Sequence, residues 1–254
     1  MTGAWRRESD WVRLVDWEKK FDVFARVSTR AAGNMKDPAV FRRRLDAVGL
    51  DPARWAGGQQ VHGRRVVSVV RPRIKEIART DGLVTPTGRL ALRVFTADCV
   101  PVFLFDPVQR VLGLVHAGWR GVQKKIVVEA IEKMAQCYHT QSRHVRVALG
   151  PHIGACCFDV GPEVAALFSD IPGVVVPRRR GRTDRRGLDL SAAIGSQVLG
   201  TGVQRDHLTG SPGCTMCDQN YFSYRRDQTD QRQVAVLCLR KDSREIGPGS
   251  HENR

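Results

Sequence analysis

The order of hydrophobic and polar positions along the chain predicts a mixture of strands and helices. Runs that are apolar throughout, or apolar at every second position, and rich in β-branched residues are typical of strands. Such runs cover residues 21–27, 66–70, 145–149 and 233–239, and residues 96–121 form two further apolar arms around a turn. The pattern therefore predicts strands distributed over the whole chain.

Helices are predicted between these strands. The segment 37–50 has Asp37 as its N-cap, Pro38 at the first helical position and Gly49 near its end, which is the usual order of helix signals. The other predicted helices are a short one starting at 161–163, one whose apolar face carries Val127, Ile131, Met134 and Tyr138, and one at 188–199.

These elements indicate a single mixed α/β layered domain. Strands and helices follow one another without a regular βαβ rhythm, and neither an internal repeat nor a linker interrupts them. We expect residues 1–20 to be a poorly structured or helical extension, residues 21–240 to form the domain, and residues 241–254 to be a flexible tail.

Composition favours a reduced, cytoplasmic protein. No apolar run approaches the roughly 20 residues that span a membrane, and the charged N-terminus lacks the apolar core of a signal peptide. The 7 cysteines are scattered and odd in number, unlike a disulfide scaffold.

The net charge of +15 favours anionic partners, but much of the excess lies in 177–187, which has no aromatic residues to stack on bases. We interpret that stretch as a solvated loop and expect nucleic-acid binding there to be weak and sensitive to salt.

A cysteine and a histidine occupy the outer ends of the hairpin predicted at 96–121. If 106–109 form the turn, Cys99 and His116 face each other across the ladder, with Cβ atoms about 5 Å apart. This separation suits a shared metal ion or a thiolate paired with an imidazole. His62, which precedes another predicted strand, would complete a set of two imidazoles and one thiolate.

Long separations between the ligands differ from the close pairs of zinc fingers and ribbons. Three protein ligands leave the fourth tetrahedral position open for water or substrate, which is the arrangement of a catalytic zinc site. Zinc suits this donor set best, although copper would also bind. The alternative is that His62, Cys99 and His116 have separate structural roles.

Arginines beside glycines or aromatic residues are candidates for binding an anion. Arg120 lies between Gly118 and Gly121 at the predicted start of a helix, where N–H groups attract phosphate or carboxylate. Arg225 follows an aromatic pair and suits bidentate anion binding or ring stacking. A tight turn and an exposed ion pair are the respective structural alternatives.

The CxxC pair Cys214 and Cys217 has no second pair of suitable spacing, because Cys156 and Cys157 are adjacent. We therefore expect these cysteines to pack as free thiols. Their replacement by serine should leave metal content and activity nearly unchanged.

Five motifs in order make the chain similar to the YfiH-like laccase-domain family, also labelled multicopper polyphenol oxidase or peptidoglycan editing factor. They are QVHG at 60–63, TADCVPV at 96–102, HAGWRG at 116–121, GPHIGACCFDVG at 150–161 and CTMCDQNYFSYRRD at 214–227. The resemblance implies a layered α/β domain of the type shared with cytotoxic necrotizing factors. It also implies that His62, Cys99 and His116 are the catalytic residues and hold zinc.

The same resemblance implies phosphorolysis of adenosine, inosine, guanosine and methylthioadenosine, together with deamination of adenosine. Purine nucleoside and phosphate would then be the partners, with Arg30 as a further substrate contact beside Arg120 and Arg225. Family members usually carry a longer glycine-rich loop after the Ser-Thr-Arg strand, whereas here 28–34 leads almost directly into the helix at Asp37. This departure implies altered specificity or reduced activity.

Three other functions remain to be weighed. A multicopper oxidase needs many histidines, usually in His-x-His pairs, and this chain has 7 histidines without such a pair. A metal-free cysteine hydrolase would use Cys99 as the nucleophile and His116 or His62 as the base, with an amide of a cell-wall precursor as substrate. A non-enzymatic RNA-binding module would be centred on 177–187.

Overall fold

A computed structural model describes residues 4–73, 75–177 and 185–241. The strands are β1 (Trp5–Arg7), β2 (Trp11–Leu14), β3 (Val23–Ser28), β4 (Trp55–Gly57), β5 (Val66–Ser68), β6 (Gly82–Thr85), β7 (Ala91–Thr96), β8 (Val100–Asp106), β9 (Val111–Ala117), β10 (Arg146–Leu149), β11 (Asp159–Val160), β12 (Val175–Pro177), β13 (Arg186–Leu188), β14 (Leu208–Thr209) and β15 (Gln233–Leu239). The α-helices are α1 (Val15–Phe21), α2 (Pro38–Asp46), α3 (Trp119–Gln123), α4 (Ile126–Tyr138), α5 (Pro162–Ala166), α6 (Leu190–Gly200) and α7 (Tyr224–Asp227).

Two six-stranded sheets pack face to face, with helices on their outer faces. The first sheet has the order β1-β2-β3-β15-β7-β4, and the second has the order β14-β10-β8-β9-β6-β5. A small sheet, β11-β13-β12, lies beside them. Helix α2 packs on the outer face of the first sheet, whereas α4 and α6 cover the second. The predicted mixed α/β layered domain is therefore confirmed.

The central strands are apolar at nearly every position because both of their faces are buried. On β8, Phe103 and Phe105 pack between the sheets, whereas Val102 and Leu104 pack under the helices. On β15, Ala235, Leu237 and Leu239 face the second sheet, and the intervening residues face α2. Successive side chains of a strand point to opposite faces, so an uninterrupted apolar strand connects two separate layers of core.

Several predicted elements are confirmed. The strand predicted at 233–239 has those bounds, and Asp37 caps α2 by accepting the N–H groups of Ala39 and Val40. The helix expected after Gly121 is divided into α3 and α4, because Lys125 takes a left-handed conformation with φ +58°. No described helix is long and apolar enough to cross a bilayer.

The N-terminal residues differ from the predicted extension. Strand β2 pairs with β3 in the first sheet, and β1 pairs with β2. Trp11, Leu14 and Trp17 are buried against the core, so these residues are part of the domain. The proposed tail is undescribed beyond residue 241, and residues 178–184 of the basic stretch predicted at 177–187 also lie outside the described residues.

The hairpin at 96–121 forms, but its register differs from the predicted one by two residues. Pro101, rather than Cys99, pairs with His116, and Asp106 pairs with Val111. Cys99 directly precedes β8. A shift by an even number of residues leaves the facing sides unchanged, and the thiol still lies beside the imidazole.

The register follows from the loop between β8 and β9, which has four residues instead of two. A Pro-Val pair cannot supply the positive φ values that two-residue hairpin turns require. Instead, Asp106 Oδ1 accepts the N–H groups of Val108 and Gln109, and Arg110 closes the loop with φ +53°.

Candidate active site

Two loop residues and one strand residue, His62, Cys99 and His116, come together in the fold. His62 lies between β4 and β5, Cys99 precedes β8, and His116 is near the end of β9. Their ligand atoms lie within 4.8 Å of one another, and the two imidazole rings have centroids 4.9 Å apart. His62 is exposed, Cys99 is half-buried and His116 is buried, so the cluster opens to solvent on one side.

Asp81, which the sequence reading did not single out, holds this cluster in place. Its carboxylate accepts the Nδ1–H of His116 at 2.9 Å and the backbone N–H groups of His62 and Gly63 at 3.0 and 2.8 Å. Because Asp81 occupies Nδ1 of His116, it leaves Nε2 directed to the cluster. Asp81 is only 1 % exposed, and an acidic residue next to the buried strand β6 was the available signal in the sequence.

The charges of the cluster are coupled. Burial alone would raise the pKa of Cys99, but the imidazoles of His116 and His62 outweigh burial and lower it to about 6. Burial alone would lower the pKa of His116, but Cys99 and Asp81 raise it to about 9. Hydrogen bonds from His116 and Gly63 also lower the pKa of Asp81 against the opposing effect of burial. The thiol is therefore poised to act as a thiolate.

This donor set fits a zinc ion. One thiolate and two imidazoles are ligands that zinc prefers, and a tetrahedral ion bound by them keeps one position open. The carboxylate of Asp81 behind His116 supplies the outer hydrogen bond that accompanies most metal-binding histidines.

Gly118 leaves the space that the cluster requires. Its φ of −75° and ψ of 167° are accessible to any residue, so its small size rather than its flexibility is needed. A Cβ at this position would lie 2.8 Å from His62 Cδ2 and 3.1 Å from Cys99 Sγ.

We expect Gly118→Ala to lower metal affinity about tenfold or more while the protein stays folded, because the new methyl group displaces two ligands. Zinc titration and circular dichroism measure the two effects. Gly200→Ala is the matched control, since a Cβ at Gly200 meets nothing within 4 Å. Unchanged zinc affinity in Gly118→Ala would contradict this account of the site.

A cavity of about 1110 Å³ extends from the cluster. Its wall carries more positive than negative side chains, which favours an anionic ligand. The positive residues are Lys36, Arg42, Lys75, Arg93, Arg120, Arg225 and Arg232, and the negative ones are Glu76, Asp98 and Asp230. Its aromatic residues are Phe41, Trp55, Phe95, Trp119, Phe158 and Tyr224.

The three arginines expected to contact substrate lie in different surroundings. Arg120 and Arg225 are exposed and line the cavity, with their guanidinium groups over the rings of Trp119 and Phe158. Arg30 is not part of the described cavity wall; its guanidinium forms an ion pair with Asp227. A substrate contact by Arg30 stays a prediction.

The helix that begins after Gly118 is shorter than expected. Helix α3 has 5 residues and ends at Gln123. Since so short a helix has only a small dipole, the arginine side chains of the cavity are the better candidates for holding an anion.

The second feature that the sequence reading missed is a group of four cysteines. Cys156 and Cys157 lie against Cys214 and Cys217, and the four sulfur atoms are within 4.8 Å of one another. The interpretation that Cys214 and Cys217 have no second cysteine pair to join is therefore wrong, and the expectation that their replacement by serine leaves metal content unchanged loses its basis. Neither residue forms a disulfide in this structure. Adjacent cysteines are not a familiar ligand spacing, and only the fold shows that both pairs meet.

Comparisons with known proteins agree with this architecture and with the resemblance to the YfiH-like family. A purine nucleoside phosphorylase of Mycobacterium tuberculosis is 37% identical over 235 residues, covering 84% of this chain and 91% of the relative. The crystal structure of YlmD from Geobacillus stearothermophilus matches with a TM-score of 0.85 and 28% identity, covering 94% of this chain and 99% of that one.

The crystal structure of the hypothetical protein YfiH from Bacillus licheniformis has the same fold, with a TM-score of 0.84, 22% identity and coverage of 93% of this chain and 99% of that one. A family model described as multi-copper polyphenol oxidoreductase laccase matches residues 34–240. Since that match spans most of the chain, the protein belongs to the multi-copper polyphenol oxidoreductase laccase family.

Proposed function

We propose that this protein is a zinc-dependent purine nucleoside phosphorylase. The observation that carries the proposal is that His62, Cys99 and His116 converge in the wall of a basic cavity that aromatic residues also line. The purine nucleoside phosphorylase name of the Mycobacterium tuberculosis relative supports the same activity.

Phosphorolysis needs groups that bind the purine base and groups that bind phosphate, and the cavity wall offers aromatic rings and arginines for these roles. A phosphate oxygen attacks C1′ of the ribose, the bond from C1′ to the purine nitrogen breaks, and the base leaves with the bonding electrons and takes up a proton. Aromatic rings such as those of Trp119 and Phe158 suit the purine, because flat bases stack on them. Arg120 and Arg225 suit phosphate, whose charge and geometry match guanidinium groups.

Zinc held by His62, Cys99 and His116 would act as a Lewis acid toward an oxygen of substrate or water. The chain's own residues define the rest of the site. Asp81 fixes His116 and the loop that carries His62, while Gly118 keeps the space between His62 and Cys99 free. Deamination of adenosine is the proposed second activity. It uses water in place of phosphate, and the zinc ion would activate that water.

The described residues do not favour multicopper oxidation. Within the described parts of the chain, the groups suited to a metal are the His62–Cys99–His116 cluster and the four-cysteine group. Several copper ions need several histidine-rich sites, and only one of these two groups contains histidine.

The dependence of base release on phosphate tests the proposed activity. Purified protein is incubated with inosine or adenosine in buffers with and without inorganic phosphate, and free base and ribose 1-phosphate are quantified. We expect base and ribose 1-phosphate in equal amounts when phosphate is present, and little base without it. Base release at the same rate in both buffers would reject phosphorolysis and indicate a hydrolase.

We expect Arg120→Ala to raise the KM for phosphate about tenfold and to change the KM for the nucleoside less, because a nucleoside carries no charge for the guanidinium to bind. Initial rates at varied phosphate and varied inosine separate the two constants. Arg205→Ala is a control outside the described cavity wall. Equal changes in both constants would assign Arg120 a general structural role.

A metal-free cysteine hydrolase is the second candidate, because the contact between Cys99 and His116 also suits a nucleophile and its base. The two proposals differ in their response to zinc. A chelator should inactivate the phosphorylase and zinc should restore it, whereas a cysteine hydrolase should stay active without metal and be inactivated by thiol alkylation.

A further inference from the structure

The four-cysteine group joins two loops that are distant in sequence. Cys156 and Cys157 lie on the loop after β10, whereas Cys214 and Cys217 lie on the loop after β14. The Sγ of Cys217 is 3.3 Å from that of Cys157 and 3.7 Å from that of Cys156. Four sulfur atoms around one zinc ion, each at about 2.3 Å, are separated by roughly 3.8 Å. The sulfur atoms are therefore spaced much as a tetrahedral zinc site requires.

Backbone contacts bring the two loops together, and one further amide donates to a cysteine side chain. The N–H of Thr215 donates to the carbonyl of His152 at 2.9 Å, and the two loops also form a parallel bridge at His152 and Cys214. The N–H of Gly154 donates to Cys214 Sγ at 3.2 Å. Amide donors of this kind orient metal-bound ligands and stabilise their charge.

The number of donors distinguishes a metal site from a disulfide. One disulfide would use two of the four sulfur atoms and would give no reason for the other two to converge, and none of the four is in a disulfide in this structure. A structural zinc ion uses four, and four thiolates leave no position open for substrate.

The geometry points to a second, structural zinc site formed by Cys156, Cys157, Cys214 and Cys217. The ion fastens the loop after β10 to the loop after β14 and takes no part in chemistry. The inference does not depend on the proposed phosphorylase activity, because metal content alone can test it.

Hydrogen bonds to Asp98 connect the loops joined by the structural zinc to the active site. Asp98 directly precedes Cys99, the proposed ligand of the catalytic zinc. The Asp98 carboxylate accepts the hydroxyl of Thr215 at 2.6 Å and the backbone N–H of Arg225 at 2.7 Å, while its carbonyl accepts the N–H of Ile153 at 3.0 Å. Asp98 has φ +91°, an unusual backbone conformation that these contacts maintain. The structural zinc therefore stabilises the wall of the cavity.

Zinc content of matched variants tests the inference. Each protein is purified under reducing conditions without chelators, and its zinc is measured by elemental analysis. We expect about two zinc ions per chain in the unmodified protein, and about one in both Cys217→Ser and Cys99→Ala. Cys137→Ser, which changes an exposed cysteine on α4, should keep about two.

Two results would overturn the inference. One is a Cys217→Ser protein that keeps as much zinc as the unmodified protein. The other is the loss of two reactive thiols to a disulfide in the freshly purified protein, shown by a thiol count with and without reductant.

A cobalt titration keeps the inference testable if Cys217→Ser does not fold. The Cys99→Ala protein, stripped of metal, is titrated with Co²⁺ and its absorption spectrum is recorded. We expect about one equivalent to bind with the intense sulfur-to-cobalt charge-transfer bands of a tetrahedral four-thiolate complex. Absence of those bands in folded protein contradicts the site.

Discussion

Cys99→Ala should remove the zinc ion from the His62–Cys99–His116 centre and lower kcat/KM for phosphorolysis of inosine about a thousandfold. Cys99 supplies the only negatively charged ligand of this centre, and the two imidazoles that remain bind zinc far more weakly. Zinc content and initial rates at saturating phosphate measure the two losses.

Cys137→Ala is the matched control, because Cys137 is an exposed cysteine outside the described cavity wall. It should keep full activity and full zinc content. A Cys99→Ala protein that retains activity would show that the thiolate has no role in the reaction. Retained zinc at this centre with lost activity would instead show that Cys99 acts in the reaction in a way other than as a zinc ligand.

Asp81→Asn should weaken zinc binding at the same centre on the order of 10- to 100-fold, although Asp81 is not itself a ligand. The carboxylate accepts from His116 Nδ1 and from the backbone N–H groups of Val61, His62 and Gly63. An asparagine side chain has one acceptor oxygen, and its NH₂ group would face N–H donors. Both histidines would then lose their fixed orientation.

The readout that separates positioning from general destabilisation is zinc affinity in the folded protein. Isothermal titration with zinc gives the affinity, and thermal unfolding of the metal-free protein gives the stability. Asp46→Asn, at an exposed position on α2, is the control and should change neither. Asp81→Asn with unchanged affinity would show that Asp81 stabilises the loop without orienting the ligands.

The layered fold could be predicted from the sequence because its strands are long and apolar. The strand predicted at 233–239 has those bounds, since both of its faces are buried and no polar position follows Gln233. The N-terminal strands were missed because β1 and β2 have only 3 and 4 residues, too few to show a period of two. The burial of Trp11 on β2 and Trp17 on α1 depends on their meeting a sheet formed by distant segments.

The metal centre could be anticipated because two of its residues belong to one hairpin. Cys99 and His116 come together because the two strands of the hairpin pair. The observed register differs from the predicted one by two residues, an even number, so both side chains lie on the same face of the sheet in either register. The only local signal of Asp81 is its position next to the buried strand β6, because its partners include backbone groups of 61–63 that only the folded chain brings near. The four-cysteine group could not be predicted from local sequence either, because two loops about 60 residues apart form it.

Formation of ribose 1-phosphate by metal-free and zinc-restored protein tests the central claim most directly. Inosine and inorganic phosphate are added to chelator-treated protein before and after zinc is returned, with Cys99→Ala treated in the same way, and the products are followed by phosphorus NMR. The account predicts ribose 1-phosphate from the zinc-restored unmodified protein, almost none from the metal-free protein, and almost none from Cys99→Ala. Equal formation of ribose 1-phosphate with and without zinc would contradict it.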